Sequence, residues 1–270
     1  MEAFRGLVPF QAPVVLAYLR CVTHSQPVYL ASDVHLGATL PEQEQAFMAW
    51  LEHAAGEASR IVVNGDLFDF WFEYRTGPTR GYDRILTLLR AIVDGGVPIT
   101  LMGGNHDWWG GTYLTDEIGV EFLRDPVVRT LAGHRTYLAH GDGLGKGDLG
   151  YRLLKPVLRG PLTRWAFWML PPALGDRVAG RASRTDRRWT APNARQQERA
   201  AALESWAEEK LVGEPELDLV VLGHAHVPSL REVRPGRWYV NAGDWVYRRT
   251  YLVLEHDQPP LLSEWGGAGS

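Results

Sequence analysis

Apolar runs and amphipathic stretches alternate along the first half of the chain. Residues 28–31, 61–63 and 97–102 are short, mostly apolar runs of the length that buried strands have. Residues 41–55 and 82–93, between and after these runs, place apolar side chains at helical spacing. This alternation predicts an α/β fold whose first half forms a mostly parallel sheet covered by helices.

The second half of the chain is predicted to hold further strands around a helix-rich region at residues 148–212. The strand-like segments are residues 127–131, 135–139, 217–222, 238–240 and 250–254. The stretch between the second and third of these segments is far longer than a connection between strands needs. We therefore expect about residues 148–190 to be a helical insertion, or lid.

A polar motif directly follows five of the predicted strands. The motifs are Asp33-Val34-His35, Gly65-Asp66, Gly104-Asn105-His106-Asp107, His140-Gly141-Asp142 and Gly223-His224-Ala225-His226. In open α/β sheets, ligands bind at the carboxyl ends of the strands. We therefore expect the five motifs to converge on one point in space.

The side chains of these motifs are those of a two-metal site. Asp33 and His35 are two residues apart and can point to the same side of an extended chain. Asp66 is a carboxylate that can bridge two cations, and Asn105 offers a neutral carbonyl oxygen. The predicted metal ligands are Asp33, His35, Asp66, Asn105, His140, His224 and His226.

Two divalent cations in such a site would clamp the attacking and leaving oxygens at phosphorus and turn a bridging water into hydroxide near neutral pH. The mixed oxygen and nitrogen ligands favour Mn²⁺, Fe or Zn²⁺ over Mg²⁺ or Ca²⁺, and we expect Mn²⁺ first. Any one motif alone is more often a turn or a hydrogen-bonded core residue. Five of them in order at strand ends predict a phosphohydrolase.

His106 and Asp69 are the predicted catalytic residues. If Asn105 is the metal ligand, the neighbouring His106 is left to face the substrate as a general acid or as a cation. Asp69 could fix the orientation of the His106 ring. The alternative interpretation is that Asp69 caps or braces its own loop.

Composition limits the partners of the protein. The net charge of −4 argues against a nucleic-acid binder with a broad basic surface. The single cysteine, Cys21, excludes an internal disulfide and fits a cytoplasmic location. The apolar start of the chain is interrupted by prolines, so we expect residues 1–27 to be an N-terminal extension before the main domain, residues 28–270.

The five motifs resemble the calcineurin-like metallophosphoesterase superfamily, whose pattern is D-x-H, GD-x-x-D, GNH-D/E, H-G and GH-x-H in this order. The resemblance implies a four-layer αββα sandwich. It also implies that one metal is bound by Asp33, His35, Asp66 and His226, and the other by Asp66, Asn105, His140 and His224.

A closer resemblance covers nearly the whole chain from Tyr29 onward. The segments that carry it are residues 66–71, 140–145, 147–151 and 243–245, which are similar to the UDP-2,3-diacylglucosamine diphosphatase family. The resemblance implies cleavage of the pyrophosphate of UDP-2,3-diacylglucosamine to UMP and 2,3-diacylglucosamine 1-phosphate, a step of lipid A biosynthesis. The chain has His106 where the best-known branch of that family has Arg, and Asp69 where that branch often has Glu.

The predicted insertion combines bulky apolar side chains with prolines and many arginines. One interpretation is a helical subdomain with its own core and a solvated basic face. The other is a lid whose apolar interior accepts acyl chains and whose arginines hold phosphate through bidentate hydrogen bonds. The predicted substrate-binding residues are Asp142, Arg181, Arg184 and Arg187. A basic, tryptophan-rich surface of this kind also suits peripheral contact with the inner membrane surface.

Three functions are open on this reasoning. The first is hydrolysis of a lipid-linked UDP-sugar. The second is a phosphodiesterase or phosphatase for another nucleotide or lipid phosphate, although a soluble substrate has little use for an apolar lid. The third is a metal-bound interaction module without catalysis, which is expected to have lost metal ligands or His106, and this chain retains both.

Overall fold

The computed structural model describes residues 26–146, 149–171, 174–175 and 193–266. The strands are β1 Val28–Ala31, β2 Arg60–Asn64, β3 Glu73–Tyr74, β4 Gly77–Pro78, β5 Ile99–Met102, β6 Glu121–Leu123, β7 Val127–Leu131, β8 His134–Leu138, β9 Leu219–Leu222, β10 Ser229–Arg234, β11 Arg237–Asn241, β12 Thr250–Leu254 and β13 Leu261–Glu264. The helices are α1 Pro41–Glu57, α2 Asp83–Asp94, α3 Leu149–Leu158, α4 Pro161–Met169 and α5 Ala194–Gly213, with a π-helical turn at Tyr113–Ile118.

The larger sheet has six strands in the order β13-β12-β1-β2-β5-β6. Its strands β1, β2, β5 and β6 are parallel, and in register Leu30 lies beside Val62 and Val62 beside Thr100. Strands β12 and β13 continue the sheet in antiparallel fashion. The predicted mostly parallel sheet in the first half of the chain is therefore confirmed.

The smaller main sheet has five strands in the order β10-β11-β9-β8-β7. Its central strand β9 runs parallel to both β8 and β11, whereas β7 and β10 are antiparallel edge strands. The carboxyl ends of β8 and β9 therefore lie at the same edge of this sheet.

The two sheets pack face to face between helices, which confirms the predicted four-layer αββα sandwich. The side chains of β2 alternate between two apolar layers. Ile61 and Val63 face the layer under α1 and α2, while Val62 faces the layer between the sheets. A third apolar layer packs α5 onto the smaller sheet. Helix α5 begins at a capping box in which Asn193 and Gln196 each accept a backbone N–H of the other.

Some elements differ from the prediction. Strands β3, β4, β6, β10 and β13 were not predicted, and the predicted helix-rich region contains α3, α4 and α5 with undescribed residues between α4 and α5. Of the predicted extension, residues 1–25 lie outside the described residues. No helix among the described residues has the length and hydropathy that crossing a bilayer requires.

Candidate metal centre

The strand order of both sheets places the five polar motifs at one end of the sandwich. Asp33 lies two residues beyond the end of β1, and Asp66 lies two residues beyond the end of β2. His140 and His224 stand in the same position after β8 and β9, and Asn105 follows β5 by three residues. Because these strand ends face one another across the sandwich, the motifs meet as expected.

Six of the predicted ligands form two clusters of three. Asp33, His35 and His226 make up the first cluster, and Asp66, His140 and His224 make up the second. Within each cluster, one donor atom of every residue lies within 4.8 Å of the others. Such spacing allows three donors to share one cation.

Asp66 stands between the two clusters. Its Oδ2 lies 3.2 Å from Nε2 of His140 and 3.7 Å from Nε2 of His35. A single carboxylate oxygen therefore faces donors of both clusters, which is the position that a bridging ligand requires.

The candidate ligands have an unusual backbone. Positive φ angles are uncommon outside glycine, and when they occur they concentrate at functional sites. The residues with this conformation include Asp33 at 53°, His35 at 50°, Asp66 at 53°, His224 at 64° and His226 at 59°. The strained backbone conformations therefore lie at the positions where the candidate ligand side chains converge.

Hydrogen bonds from neighbouring residues orient the donors. Nδ1 of His140 lies 3.0 Å from the carbonyl oxygen of Asn64, so Nδ1 donates its proton there and Nε2 faces the cluster. The carboxylate of Asp33 accepts the hydroxyl of Ser32 and, at 2.9 Å, the backbone N–H of His224. These contacts tie the loops after β1, β2, β8 and β9 to one another.

Asp107 is a structural residue of the site to which the sequence analysis gave no role. Its buried carboxylate accepts the backbone N–H of Leu67 at 2.7 Å and of Gly104 at 2.8 Å, with longer contacts to the N–H groups of Asp66 and Phe68. One side chain thus joins the loop of Asp66 to the loop of Asn105. The only signal in the sequence was its place at the end of a motif.

Two motif glycines are required by close approach of the loops. A Cβ atom at Gly104 would overlap the Asp66 carboxylate. A Cβ atom at Gly223 would overlap the side chains of Ser32 and Asp33. Glycine is needed at these two positions because any side chain would push the loops apart.

The electrostatics of the site favour bound positive charge. Burial raises the pKa of Asp33 to about 7, even though His140 opposes the shift. Burial disfavours a charged ring at His140, but the carboxylates of Asp66 and Asp33 outweigh this and raise its pKa to about 10. The buried Oδ1 of Asn105 has no hydrogen-bond partner among the described residues, although buried polar atoms nearly always have one. Divalent cations would satisfy both the carboxylates and this oxygen.

His106 is buried beside the first cluster. Its Nδ1 lies 2.7 Å from the backbone carbonyl oxygen of Asp69, so that nitrogen donates a proton and leaves Nε2 to the site. Burial disfavours the charged ring, but the charge of Asp66 and the hydrogen bond to Asp69 outweigh it and raise the pKa of His106 to about 9. The neighbouring Asp66 and Asp69 carboxylates therefore favour the protonated ring.

The Asp69 carboxylate lies close to two imidazole rings. Its Oδ1 lies 3.4 Å from Nδ1 of His106 and 3.4 Å from Nδ1 of His35. Burial would raise the pKa of Asp69, but both imidazoles outweigh burial and hold that pKa well below its usual value. The carboxylate is thus placed to orient both His106 and a candidate metal ligand.

The predicted substrate-binding residues divide into two groups. Arg181, Arg184 and Arg187 lie outside the described residues. Asp142 lies beside the metal centre, where its carboxylate contacts the cations of Lys155 and Arg159. Burial would raise the pKa of Asp142, but His140, Arg159 and Lys155 together lower it.

Comparisons with known proteins agree with this geometry. The calcineurin-like phosphoesterase family model matches residues 26–228. The chain is 32% identical over 245 residues to a UDP-2,3-diacylglucosamine hydrolase of Porphyromonas gingivalis, covering 84% of this chain and 94% of that protein. It is also 32% identical over 243 residues to the hydrolase of the same name from Bordetella pertussis, covering 86% of this chain and 92% of that protein.

Among solved structures, the chain is similar to Vps29 from Entamoeba histolytica complexed with zinc. It aligns with a TM-score of 0.41 and 14% identity, covering 88% of this chain and 97% of that chain.

Proposed function

Because the chain belongs to the calcineurin-like phosphoesterase family, we propose that it cleaves the pyrophosphate of UDP-2,3-diacylglucosamine to UMP and 2,3-diacylglucosamine 1-phosphate in lipid A biosynthesis. The protein is a metal-dependent hydrolase. The observation that carries the proposal is the meeting of two Asp and His clusters at Asp66, in a chain similar to UDP-2,3-diacylglucosamine hydrolases over most of its length.

The ligand assignment follows the two clusters. In the proposal, Asp33, His35 and His226 hold one ion, His140, His224 and Asn105 hold the other, and Asp66 touches both. When bound, two divalent ions supply an activated water and neutralise charge on the phosphate oxygens. Mn²⁺ is the proposed metal, with Fe and Zn²⁺ as the alternatives, because the donors are mixed oxygen and nitrogen atoms.

His106 and Asp69 are the proposed catalytic residues. The Asp69 carbonyl oxygen holds Nδ1 of His106, so the protonated Nε2 can contact the substrate. A fixed cation at that point stabilises the charge that develops on the phosphorus oxygens or protonates the leaving group.

A cavity beside α4 is the proposed place for acyl chains. It has a volume of about 670 Å³ and lies between the β3–β4 hairpin and α4. Phe72, Tyr74, Trp165 and Trp168 line it with aromatic surface, and the lining also includes three arginines and the acidic residues Glu73, Asp116 and Glu117. Aromatic and apolar walls with a few charged groups are typical of sites for amphipathic ligands.

The exposed apolar side chains of α3 and α4 are the proposed contact with the inner membrane surface. Leu153 is 80% exposed, Leu162 75% and Val157 61%. Residues 149–171 contain four arginines or lysines and no carboxylate, although the whole chain has a net charge of −4. An apolar surface with surrounding cations is complementary to a bilayer of anionic lipids.

Turnover of two substrates tests the proposed reaction. Metal-stripped protein is reconstituted with Mn²⁺, Fe²⁺ or Zn²⁺ and assayed with UDP-2,3-diacylglucosamine and with bis-p-nitrophenyl phosphate. We expect kcat/KM for the lipid to exceed that for the soluble ester by about 100-fold or more, because remote binding energy is used only by the lipid. Equal kcat/KM for both substrates, or no turnover of the lipid, would refute UDP-2,3-diacylglucosamine as the substrate. The assignment of the protein as a metal-dependent hydrolase would not be affected.

Sedimentation with lipid vesicles tests the proposed membrane contact. The protein should sediment with phosphatidylglycerol vesicles, weakly with phosphatidylcholine vesicles, and less at about 0.5 M salt, which screens the charges. Leu162→Ser should reduce sedimentation, whereas Val212→Ser, an exposed apolar position on α5, serves as the matched control. Equal binding to both lipids, or no binding to either, contradicts the proposed contact.

A further inference from the structure

Helix α3 carries its charged side chains on the inside and its apolar side chains on the outside. Arg152, Lys155 and Arg159 are three and four residues apart, so they share one face of α3 and the turn that follows it. Leu153 and Val157 lie on the other face and are exposed. A helix held to a protein by the hydrophobic effect has the opposite arrangement.

The basic face of α3 lies against the loop that follows β8. Nζ of Lys155 is 2.7 Å, and Nη2 of Arg159 2.9 Å, from the same Oδ2 of Asp142. Lys155 also donates to the carbonyl oxygen of Asp142 at 3.0 Å. The side chains of Asp142 and Arg159 are 6% and 15% exposed, so solvent screens this pair of charge-assisted hydrogen bonds only weakly.

Arg159 also reaches the loop that follows β5. Its Nη2 lies 3.4 Å from the carbonyl oxygen of Gly104, and its guanidinium stands 4.7 Å from the centre of the Trp108 ring. The Trp109 indole donates to the carbonyl oxygen of Leu158 at 3.3 Å. The end of α3 is thus tied to the two loops that carry Asn105 and His140.

Apolar packing of the side chains described in α3 does not account for its position. None of the side chains described in this helix, from Arg152 to Leu158, is buried. Polar contacts with the metal-centre loops are therefore the interactions that fix its place.

We propose that Asp142, Lys155 and Arg159 form an electrostatic clamp that holds α3 on the loops of the metal centre and so positions α3 and α4 for the lipid part of the substrate. Asp142 and Arg159 are positioning residues in this account, because they act through the placement of α3. The clamp rests on the proposed function only for the identity of the substrate.

Hydrogen exchange of the full-length protein tests the clamp without a substrate. Asp142→Asn and Arg159→Gln should each speed exchange in α3 by about tenfold, because local opening reports the lost contacts. The effect of the double variant should be smaller than the two single effects combined, since both variants remove the Asp142–Arg159 contact. Arg164→Gln, on the exposed side of α4, is the matched control, and unchanged exchange in β1 and β2 shows that the variants are folded.

Unchanged exchange of α3 in both single variants, or additive effects in the double variant, would overturn the clamp. Exchange in α3 should be slower in Arg159→Lys than in Arg159→Gln, because lysine keeps the positive charge. It should still be faster than in the wild type, because lysine lacks the planar guanidinium and its several donors.

Kinetics test the positioning role. In Arg159→Gln, kcat/KM for UDP-2,3-diacylglucosamine should fall about tenfold more than kcat/KM for bis-p-nitrophenyl phosphate, with most of the difference in KM. An equal fall for both substrates would assign Arg159 to the metal centre alone and overturn the positioning role. If the wild-type protein does not turn over the lipid, the proposed substrate is refuted. Hydrogen exchange would then still show whether the clamp holds α3, because that experiment needs no substrate.

Discussion

Helices α5 and α3 place their apolar side chains on opposite sides. In α5, Leu203 and Leu211 are buried against the smaller sheet, as in any helix that covers a sandwich. In α3, the cations face the protein and Leu153 faces outward. The sandwich, including α5, is therefore stabilised by burial of apolar surface, whereas α3 is held by charge and leaves its apolar face for another surface.

The largest expected effect concerns the proposed catalytic residue His106, which lies in the sandwich and not in α3. His106→Ala should lower kcat by about 10²- to 10⁴-fold without loss of bound metal, because the proposed role of His106 is to act on the substrate and not as a ligand. Activity and metal content are measured together. His53→Ala, on the exposed side of α1, is the control and should match the wild type. A loss of metal in His106→Ala would make the ligand assignment wrong.

The next largest effect tests burial in α5. Leu211→Ala should cost about 2–5 kcal/mol of the free energy of unfolding, because it removes buried methyl groups and leaves a cavity. Urea unfolding measures the change. Val212→Ala in the same helix is the matched control, since its side chain is 53% exposed. Similar costs at both positions would contradict the orientation of α5.

A smaller effect is expected at Asp107, where charge is buried inside the sandwich. Asp107→Asn should destabilise the fold by about 1–3 kcal/mol, because the amide cannot accept all the backbone N–H groups that the carboxylate accepts. The exposed Asp257→Asn is the control for urea unfolding. Equal stability of Asp107→Asn and the wild type would show that the two loops do not depend on this carboxylate.

The smallest effect is expected on α3 and completes the comparison. Leu153→Ala should change the free energy of unfolding by less than about 0.5 kcal/mol, because the side chain is exposed. A cost similar to that of Leu211→Ala would show that the apolar face of α3 packs inside the protein.

The sandwich could be predicted because the same pattern of short apolar runs recurs along the chain. Apolar runs such as Ile61 to Val63 must alternate between two buried layers, and that pattern is visible in the residues. Strand β10 was missed because its sequence, Ser229–Arg234, is rich in charged residues and mostly exposed at the edge of its sheet. Pairing with β11 stabilises it, and pairing is not a property of the strand alone.

The residues of the metal centre could be predicted from the sequence, but the backbone conformation and loop contacts that hold them in place could not. The motif order and spacing identified Asp33 and His224, whereas their left-handed backbone depends on contacts between loops. In α3 the periodicity revealed two faces and could not tell which one meets the protein. We expected apolar side chains inside the insertion, but Leu153 and Val157 of α3 are exposed, and its cations face the protein because Asp142 attracts them.

The left-handed backbone of the candidate ligands has a consequence for the order of folding. Asp33 donates its N–H to the carbonyl oxygen of Gly65, and Trp245 donates to the carbonyl oxygen of Asp33. These contacts join residues that are far apart in the sequence, and strained conformations persist only when surrounding structure enforces them. We therefore expect the metal centre to take shape only after the strands of the larger sheet have paired.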